Sequence, residues 1–462
     1  PMFDNAREII WLLNLMLRND NKPILKVNTF FNSNGDFILE NKDLFLKKIR
    51  GYISYVRGEN PYRFPERLYP LKDKNILTPE LLPIKDKNGS AIPERERISE
   101  LKLINCVMDG FQKDIYLKMI NEKVDDSFSK NTMMCSNITY YNESSLDVLD
   151  IRSVLGLNGL TNLFNIEKTK SSVKYKLKDK KNKNLFDIKN IKNYSSKLHY
   201  FINNIEKNEG IIFIYSKYID AGVVPIALAL EYNGYRKYND SIISNPPKQK
   251  GKYLIISGNE LLSKNAYLDY LKLENSNKNG EKIKIIIGSE TAAEGLDFSY
   301  IRHVYIFDPW FHLNKIEQVI GRGIRNCSHI GLDRKKRNVT IYLLVSSLND
   351  DPSKENETTD IEIYRKAELK SKQMAVLEYL IKTSAVDCNL NIHSNKFDND
   401  IDYSKKCNYQ KCDYKCITKL DEDSKINEDT WIHSKHILNA QIDDIVKLII
   451  YGDGTKRNKL FN

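Results

Sequence analysis

"KIIIGSETAAEGLD", residues 284–297, decides how the rest of the chain is read. The apolar run "KIIIG" (284–288) is too short for a helix and lacks the alternation of a half-buried strand. It suits a strand covered on both faces. A polar loop follows at once. The same pattern recurs in "IIFIYS" (211–216), "YLIIS" (253–257), "VYIF" (304–307) and "VTIYLLVSS" (339–347), all continuous and rich in β-branched residues. Helical patterns lie between them at 221–232, closed by Gly234, at 258–273 and at 312–322. Buried strands alternating with amphipathic helices predict an α/β fold: a parallel sheet with helices on both faces.

In such sheets ligands bind beyond the carboxyl ends of the strands, where helix N-termini offer unpaired N–H groups to anions. Three loops carry polar residues to that edge: Ser216 and Lys217, then 289–297 with Ser289 and Thr291, then "DPWFHLN" (308–314). Such a rim suits a nucleic-acid backbone. Downstream, "IEQVIGRGIR" (316–325) places Gln318, Arg322 and Arg325 at i, i+4 and i+7, on one face of a continuing helix. Gly321 and Gly323 flank Arg322, each weakening a helix by up to about 1 kcal/mol relative to alanine. That cost has a reason where another body must approach closely.

The bulk composition is consistent with this reading and too general to produce it. A chain of 462 residues calls for more than one core. With 41% hydrophobic and 29% charged residues it is globular rather than disordered. A net charge of +11 favours a polyanionic partner without identifying one. No window of about 18 uninterrupted apolar residues occurs and no signal-peptide pattern opens the chain, so it is expected to be soluble and intracellular, with no membrane partner. Seven cysteines in so long a chain argue for reduced thiols or a metal rather than a disulfide framework.

Outside the sheet pattern, Asn5 and Glu8 make a capping pair before Ile9, Ile10, Leu12, Leu13, Met16 and Leu17, which repeat at helical spacing. "GYISYVRGENPYRFPERLYP" (51–70) reads as an extended connector, residues 71–200 as irregular, and lysine-rich "KYKLKDKKNKN" (174–184) as a solvated loop. A long helix is expected over 359–384, and a last one in "SKHILNAQIDDIVKLIIYG" (434–452). Cys388, Cys407, Cys412 and Cys416 either close a tetrahedral zinc site, with His393 as a substitute ligand, or are four reduced thiols. "DRKKRN" (333–338) is a solvated turn or a phosphate contact; Trp310 and Phe311 stack on a base or pack inside. The remaining histidines, His329 among them, are expected to be hydrogen-bonded.

"ETAAEGLDF" followed by "IEQVIGRGIR" resembles motifs V and VI of superfamily 2 helicases and translocases, the latter in its Q-x-x-G-R-x-x-R form. In that family a second RecA-like lobe supplies arginine fingers to a nucleotide held by the first. The resemblance implies that Arg322 and Arg325 are the fingers and Gln318 the leading glutamine. It puts Glu294, Gly295 and Asp297 on the nucleotide side of motif V. "FQKDIY" (111–116), "SSKLHYFINNI" (195–205) and "DPWFHLNKIEQ" (308–318) are similar to segments of remodeller-like double-stranded DNA translocases. "ISYVRGENPYRFPERLYP", "IIFIYSKYIDAGVVPIALALEYNGYRKY" and "IGRGIRNCSH" resemble helicases of large nucleocytoplasmic DNA viruses, of the poxvirus-type early transcription factor and nucleoside triphosphatase I groups. No G-x-x-x-x-G-K-[ST] loop and no D-E-x-H box occurs in the sequence, and "PMFDN" is similar to the end of motif III, which closes the first lobe.

The expectation is the C-terminal half of an ATP-dependent DNA helicase or translocase of a large DNA virus, serving viral transcription. It would act with ATP and Mg²⁺ shared with a first lobe and be inactive alone. Viral RNA polymerase would be a partner, and the host cytoplasm (viral factory) or virion the location. The expected divisions are 1–70 (end of motif III, first helix, connector), 71–195 (accessory insert), 196–350 (second RecA-like lobe) and 351–462 (mainly helical, cysteine-bearing tail). The alternatives are a DNA-binding transcription initiation factor, or a polymerase-docking scaffold with incidental or no hydrolysis.

Overall fold

The computed structural model describes residues 2–57, 63–122, 129–141, 151–170, 172–244, 246–293, 295–397 and 400–417. The expected helix at 434–452, Pro1 and part of the connector lie outside the described residues. Ten strands are present among those described: β1 (Glu66–Leu68), β2 (Leu103–Val107), β3 (Phe164–Lys168), β4 (Val173–Leu177), β5 (Ile211–Tyr215), β6 (Tyr235–Lys237), β7 (Gly251–Ile256), β8 (Ile285–Gly288), β9 (Ile301–Ile306) and β10 (Asn338–Ser347). Eight of them form one sheet in the order β1-β10-β9-β5-β8-β7-β6, with β2 also on β10. Every pairing in that sheet is parallel. The five strands expected from the apolar runs are all there, in the expected α/β arrangement of a parallel sheet with helices on both faces.

Continuous apolar runs are needed because both faces are buried. Ile212 and Ile214 of β5 point into a core with Leu198, Phe201, Ile226 and Leu230, from the helices Ser196–Ile205 and Val224–Tyr232. Their neighbours Ile211, Phe213 and Tyr215 point the other way, against Tyr270 of the helix Ala266–Leu273 and Ile316, Val319 and Ile320 of the helix Leu313–Gly323. Each strand thus feeds two cores with alternate residues. The stretch expected as one helix at 258–273 is two, Glu260–Ser263 and Ala266–Leu273, parted at Asn265 (φ +56°), a residue type that tolerates the left-handed region.

Several expectations are corrected. The connector and the insert are not separate from the lobe: β1 and β2 come from them and extend its sheet. Asn338–Thr340 at the start of β10 pair with β1, and Leu343–Ser347 at its end with β2. The lysine-rich loop is partly a strand, because Val173 and Tyr175 alternate with Lys174 and Lys176 and bury themselves beside Phe164. N-terminal and tail segments share one core: Ile9, Leu13, Leu17 and Phe45 pack with Met374, Leu377 and Leu380 of the helix Thr359–Ser384. At 26 residues that helix runs roughly 39 Å, long enough to cover the sheet with Ile361 and Tyr364 and still reach the N-terminal helix.

The zinc site is also corrected. The four cysteines pair two by two as disulfides, Cys388–Cys416 with Cα atoms 5.9 Å apart and Cys407–Cys412 at 4.9 Å. A sulfur bonded to sulfur is not a thiolate and cannot ligate. No group of three or more His, Cys, Asp or Glu that could hold a metal ion occurs among the described residues. Cys106 and Cys135 are free and buried, and Cys327 is free and exposed. No helix of the described residues is long and apolar enough to cross a membrane.

Candidate functional site

The loop after β8 turns through a short 3₁₀ segment, Glu290–Ala293, and passes Gly295 at φ +70°. A Cβ there would meet nothing within 4 Å, so glycine is required by the backbone angle and not by crowding. The turn presents Asp297 to the end of the Leu313–Gly323 helix. Arg325 Nη2 lies 2.8 Å from Asp297 Oδ1 and Arg322 Nη1 lies 3.7 Å from the same oxygen. Arg322 also donates from Nη1 to the Leu296 carbonyl at 3.0 Å, and its own carbonyl accepts the Phe298 N–H at 3.3 Å. The two segments that resemble motifs V and VI are thereby tied into one unit. Glu294 lies outside the described residues.

The arginines are not on one helix face as the spacing predicts. The helix ends at Gly323, and Ile324 (φ −108°, ψ 83°) turns Arg325 off its axis. Asp297, rather than helical periodicity, brings the two guanidiniums together. Arg322 is the more enclosed, with 13% of its side chain exposed against 42% for Arg325. The Arg325 Nε is shielded from solvent and has no hydrogen-bond partner among the described residues. Gln318 is exposed one turn back on the helix. The flanking glycines divide: a Cβ on Gly323 would press on Ile301 and Val304 of β9 at 3.1–3.3 Å, whereas one on Gly321 would meet nothing within 4 Å.

Helix position is fixed from both ends. His312 caps the N-terminus, its Nδ1 accepting the Lys315 N–H, and Asn314 Nδ2 donates to the Met2 and Phe3 carbonyls at 2.9 Å each. Glu317 is clamped between Arg67 (2.6 Å) and Lys405 (2.8 Å). Burial alone would raise its carboxyl pKa, but these two cations outweigh it and hold the group well below the usual carboxylate range.

Around the rim, the structure separates the expected nucleic-acid contacts. Ser216 and Ser289 are buried, at 0% and 3% exposure. Ser216 Oγ donates to Asp308 Oδ1, so it organises the loop and offers no free hydroxyl. Thr291 is exposed and Lys217 is half-buried. The Lys217 ammonium sits 4.8 Å from the Tyr218 ring centroid, 5.0 Å from Trp310 and 5.3 Å from Phe311. Trp310 and Phe311 therefore form a box around a cation, in which burial pushes the lysine pKa down. The box stands where the neighbouring strands β5 and β9 send their connections in opposite directions along the sheet, the crevice at which parallel sheets bind ligands.

Residues 252–327 match the helicase conserved C-terminal domain. Over longer spans the chain is 29% identical to a predicted ATP-dependent RNA helicase of Acanthamoeba polyphaga mimivirus, across 75% of this chain and 53% of that protein. It is 29% identical to a predicted helicase of Invertebrate iridescent virus 3, across 91% and 38%. It is 26% identical to the termination factor NPH-I homologue of African swine fever virus, across 43% and 33%. The chain thus spans about half the length of the mimivirus relative and less of the others. It is similar to helicases of large DNA viruses, as its motifs are.

The matched helicase domain contains Gln318, Arg322, Arg325, Gly295 and Asp297 but stops short of β5, Lys217 and β10. Asp308 and Lys197 fall in segments quoted above for their resemblance, but no spacing links them to each other or to Asn137, which lies in none of those segments. Only folding brings the insert residue Asn137 within 3.1 Å of Asp308.

Proposed function

We propose that this chain supplies the arginine-bearing wall of the nucleotide site in an ATP-dependent helicase or translocase acting on double-stranded DNA. The observation that carries the reading is the convergence of Arg322 and Arg325 on Asp297 at the carboxyl edge of the sheet. A guanidinium donates bidentately to carboxylate or phosphate and never loses its charge, so a single carboxylate keeps both side chains extended and aimed. The partly exposed Arg325 fork leaves donors for a phosphate oxygen.

ATP, bound with Mg²⁺, is the substrate and supplies the phosphoanhydride that is cleaved. Arg322 and Arg325 would exchange Asp297 for the terminal phosphate and offset charge that builds there in the transition state. Gly295 keeps the motif V loop in the left-handed turn that exposes its main chain. The metal and the phosphate cradle would belong to a first lobe, as the motif resemblance implies. Lys217 and Thr291 would take backbone phosphates at the rim. Similarity to a termination factor homologue supports service in viral transcription alongside viral RNA polymerase.

Arg322→Ala in the full-length protein is expected to lower DNA-stimulated ATPase by about 10³–10⁵, the worth of an arginine finger. Activity within about twofold of wild type sinks the assignment. Duplex DNA should stimulate hydrolysis more than RNA of equal length; the reverse would move the substrate to RNA.

A further inference from the structure

Lys197, in the helix Ser196–Ile205, has 0% exposure. Its Nζ is 2.7 Å from Asp360 Oδ2, both side chains being fully enclosed, and donates to Asn137 Oδ1 at 3.0 Å. Asn137 Nδ2 donates to Asp308 Oδ1 at 3.1 Å. Asp308, 1% exposed, accepts the Ser216 hydroxyl on that same oxygen and the Lys217 N–H on Oδ2 at 3.0 Å. A continuous run of polar contacts leads from a helix beneath the sheet to the backbone of Lys217.

Packing does not require this run. Apolar residues of similar volume usually stabilise an interior as well as a buried ion pair does, because desolvating the charges is costly. Nor is the network complete, since Asp360 Oδ1 has no hydrogen-bond partner among the described residues. Its charges instead balance at the rim. Asp308 and Asp360 are two carboxylates on a run that holds one enclosed ammonium, and at the rim stands Lys217, in its box of Tyr218, Trp310 and Phe311, with Lys315 Nζ 5.8 Å from the same Trp310 and 3.7 Å from Glu290. Asp308 fixes the Lys217 main chain and also opens the loop that carries two of the three rings.

We infer that Lys197 is a positioning residue, which through Asn137 and Asp308 sets where Lys217 presents its ammonium to a nucleic-acid phosphate. The inference rests on the proposed contact between Lys217 and the backbone.

The test is the salt dependence of binding of the full-length protein to a fluorescent 20-base-pair duplex. In B-DNA each phosphate contact contributes about 0.9 to the slope of log K against log salt. Lys217→Ala should lower the slope by about that amount. Lys197→Met combined with Asp360→Asn removes both enclosed charges together. It should lower the slope by most of the same amount, and adding Lys217→Ala should then change it no further. A merely structural pair would weaken folding yet leave Lys217 its full share of the slope, and that result overturns the inference. Should the pair variant not fold, Asn137→Ala cuts the link while keeping the ion pair, and the same pattern decides. If Lys217→Ala alone leaves the wild-type slope unchanged, the contact itself is wrong, a failure distinct from that of the positioning.

Discussion

At the scale of single residues, geometry refines what spacing implies. Arg322 and Arg325 share the oxygen of Asp297 from two different backbone settings, one helical and one beyond the helix end. In the proposed phosphate contact, the fork at Arg325 is expected to matter more than its charge. Arg325→Lys keeps the charge and loses bidentate donation. On the proposed ATPase role it is expected to cost about 1.5–3 kcal/mol of transition-state stabilisation, or roughly 10- to 100-fold in kcat of the full-length protein. A kcat within twofold would show that charge alone suffices. His329 gives a pH prediction of definite sign. It is 2% exposed, within hydrogen-bond reach of Ser328 Oγ (2.8 Å) and the Ile301 carbonyl (2.6 Å), and burial pushes its pKa down to about 4. A depressed folded pKa contributes stability that is present above the unfolded value near 6.5 and lost as pH falls toward 4. Between pH 7 and 5 this histidine should cost on the order of 1–2 kcal/mol of unfolding free energy. His329→Gln, measured by urea denaturation at both pH values, should flatten that loss; an unchanged pH profile would exclude His329 as its source.

At the scale of elements, the helix Leu313–Gly323 contains two glycines with opposite roles. Gly323 lets the helix lie directly on Ile301 and Val304, while Gly321 faces open space. Gly321→Ala should stabilise the isolated chain by up to about 1 kcal/mol by restricting the unfolded backbone and favouring helix. Gly323→Ala should destabilise it by about 1–3 kcal/mol through overpacking. Equal shifts in denaturation midpoint for the two would contradict the packing described. The elements themselves were unequally legible. β5, β7, β8, β9 and β10 announce themselves because a strand buried on both faces must be continuously apolar, a local property. β1 and β2 do not, since an edge strand of three or five residues is held by its partner rather than by its own pattern. The left-handed break at Asn265 was equally silent, because asparagine permits that angle without demanding it.

At the scale of the whole molecule, the 26-residue helix Thr359–Ser384 ties the sheet to the N-terminal segment. Leu377, 0% exposed in the core shared with the N-terminal segment, should cost about 2–5 kcal/mol as Leu377→Ala. A single cooperative unfolding transition shifted as a whole would show that both cores melt together; a new early transition would show that they do not. The cysteines offer a chemical check. Unreduced, denatured protein should label three thiols of seven with maleimide, and chelator should leave the melting temperature unchanged. Seven labelled thiols and bound zinc would restore the metal reading. Sequence alone could not decide between thiols, zinc and disulfides, because pairing depends on which sulfurs the fold brings within bonding distance.

By itself the sequence determined the class of sheet and the edge at which its polar loops gather, since strand burial and loop polarity are written locally. Only the tertiary structure decided what those residues touch. It showed that Asp297 gathers the arginines, that Ser216 faces inward to Asp308, and that Lys217 stands in an aromatic box with its N–H bonded to Asp308, which Asn137 links to Lys197. Those are contacts between segments up to 171 positions apart. No local pattern encodes them, because a side chain's partner is set by where the whole chain closes on itself.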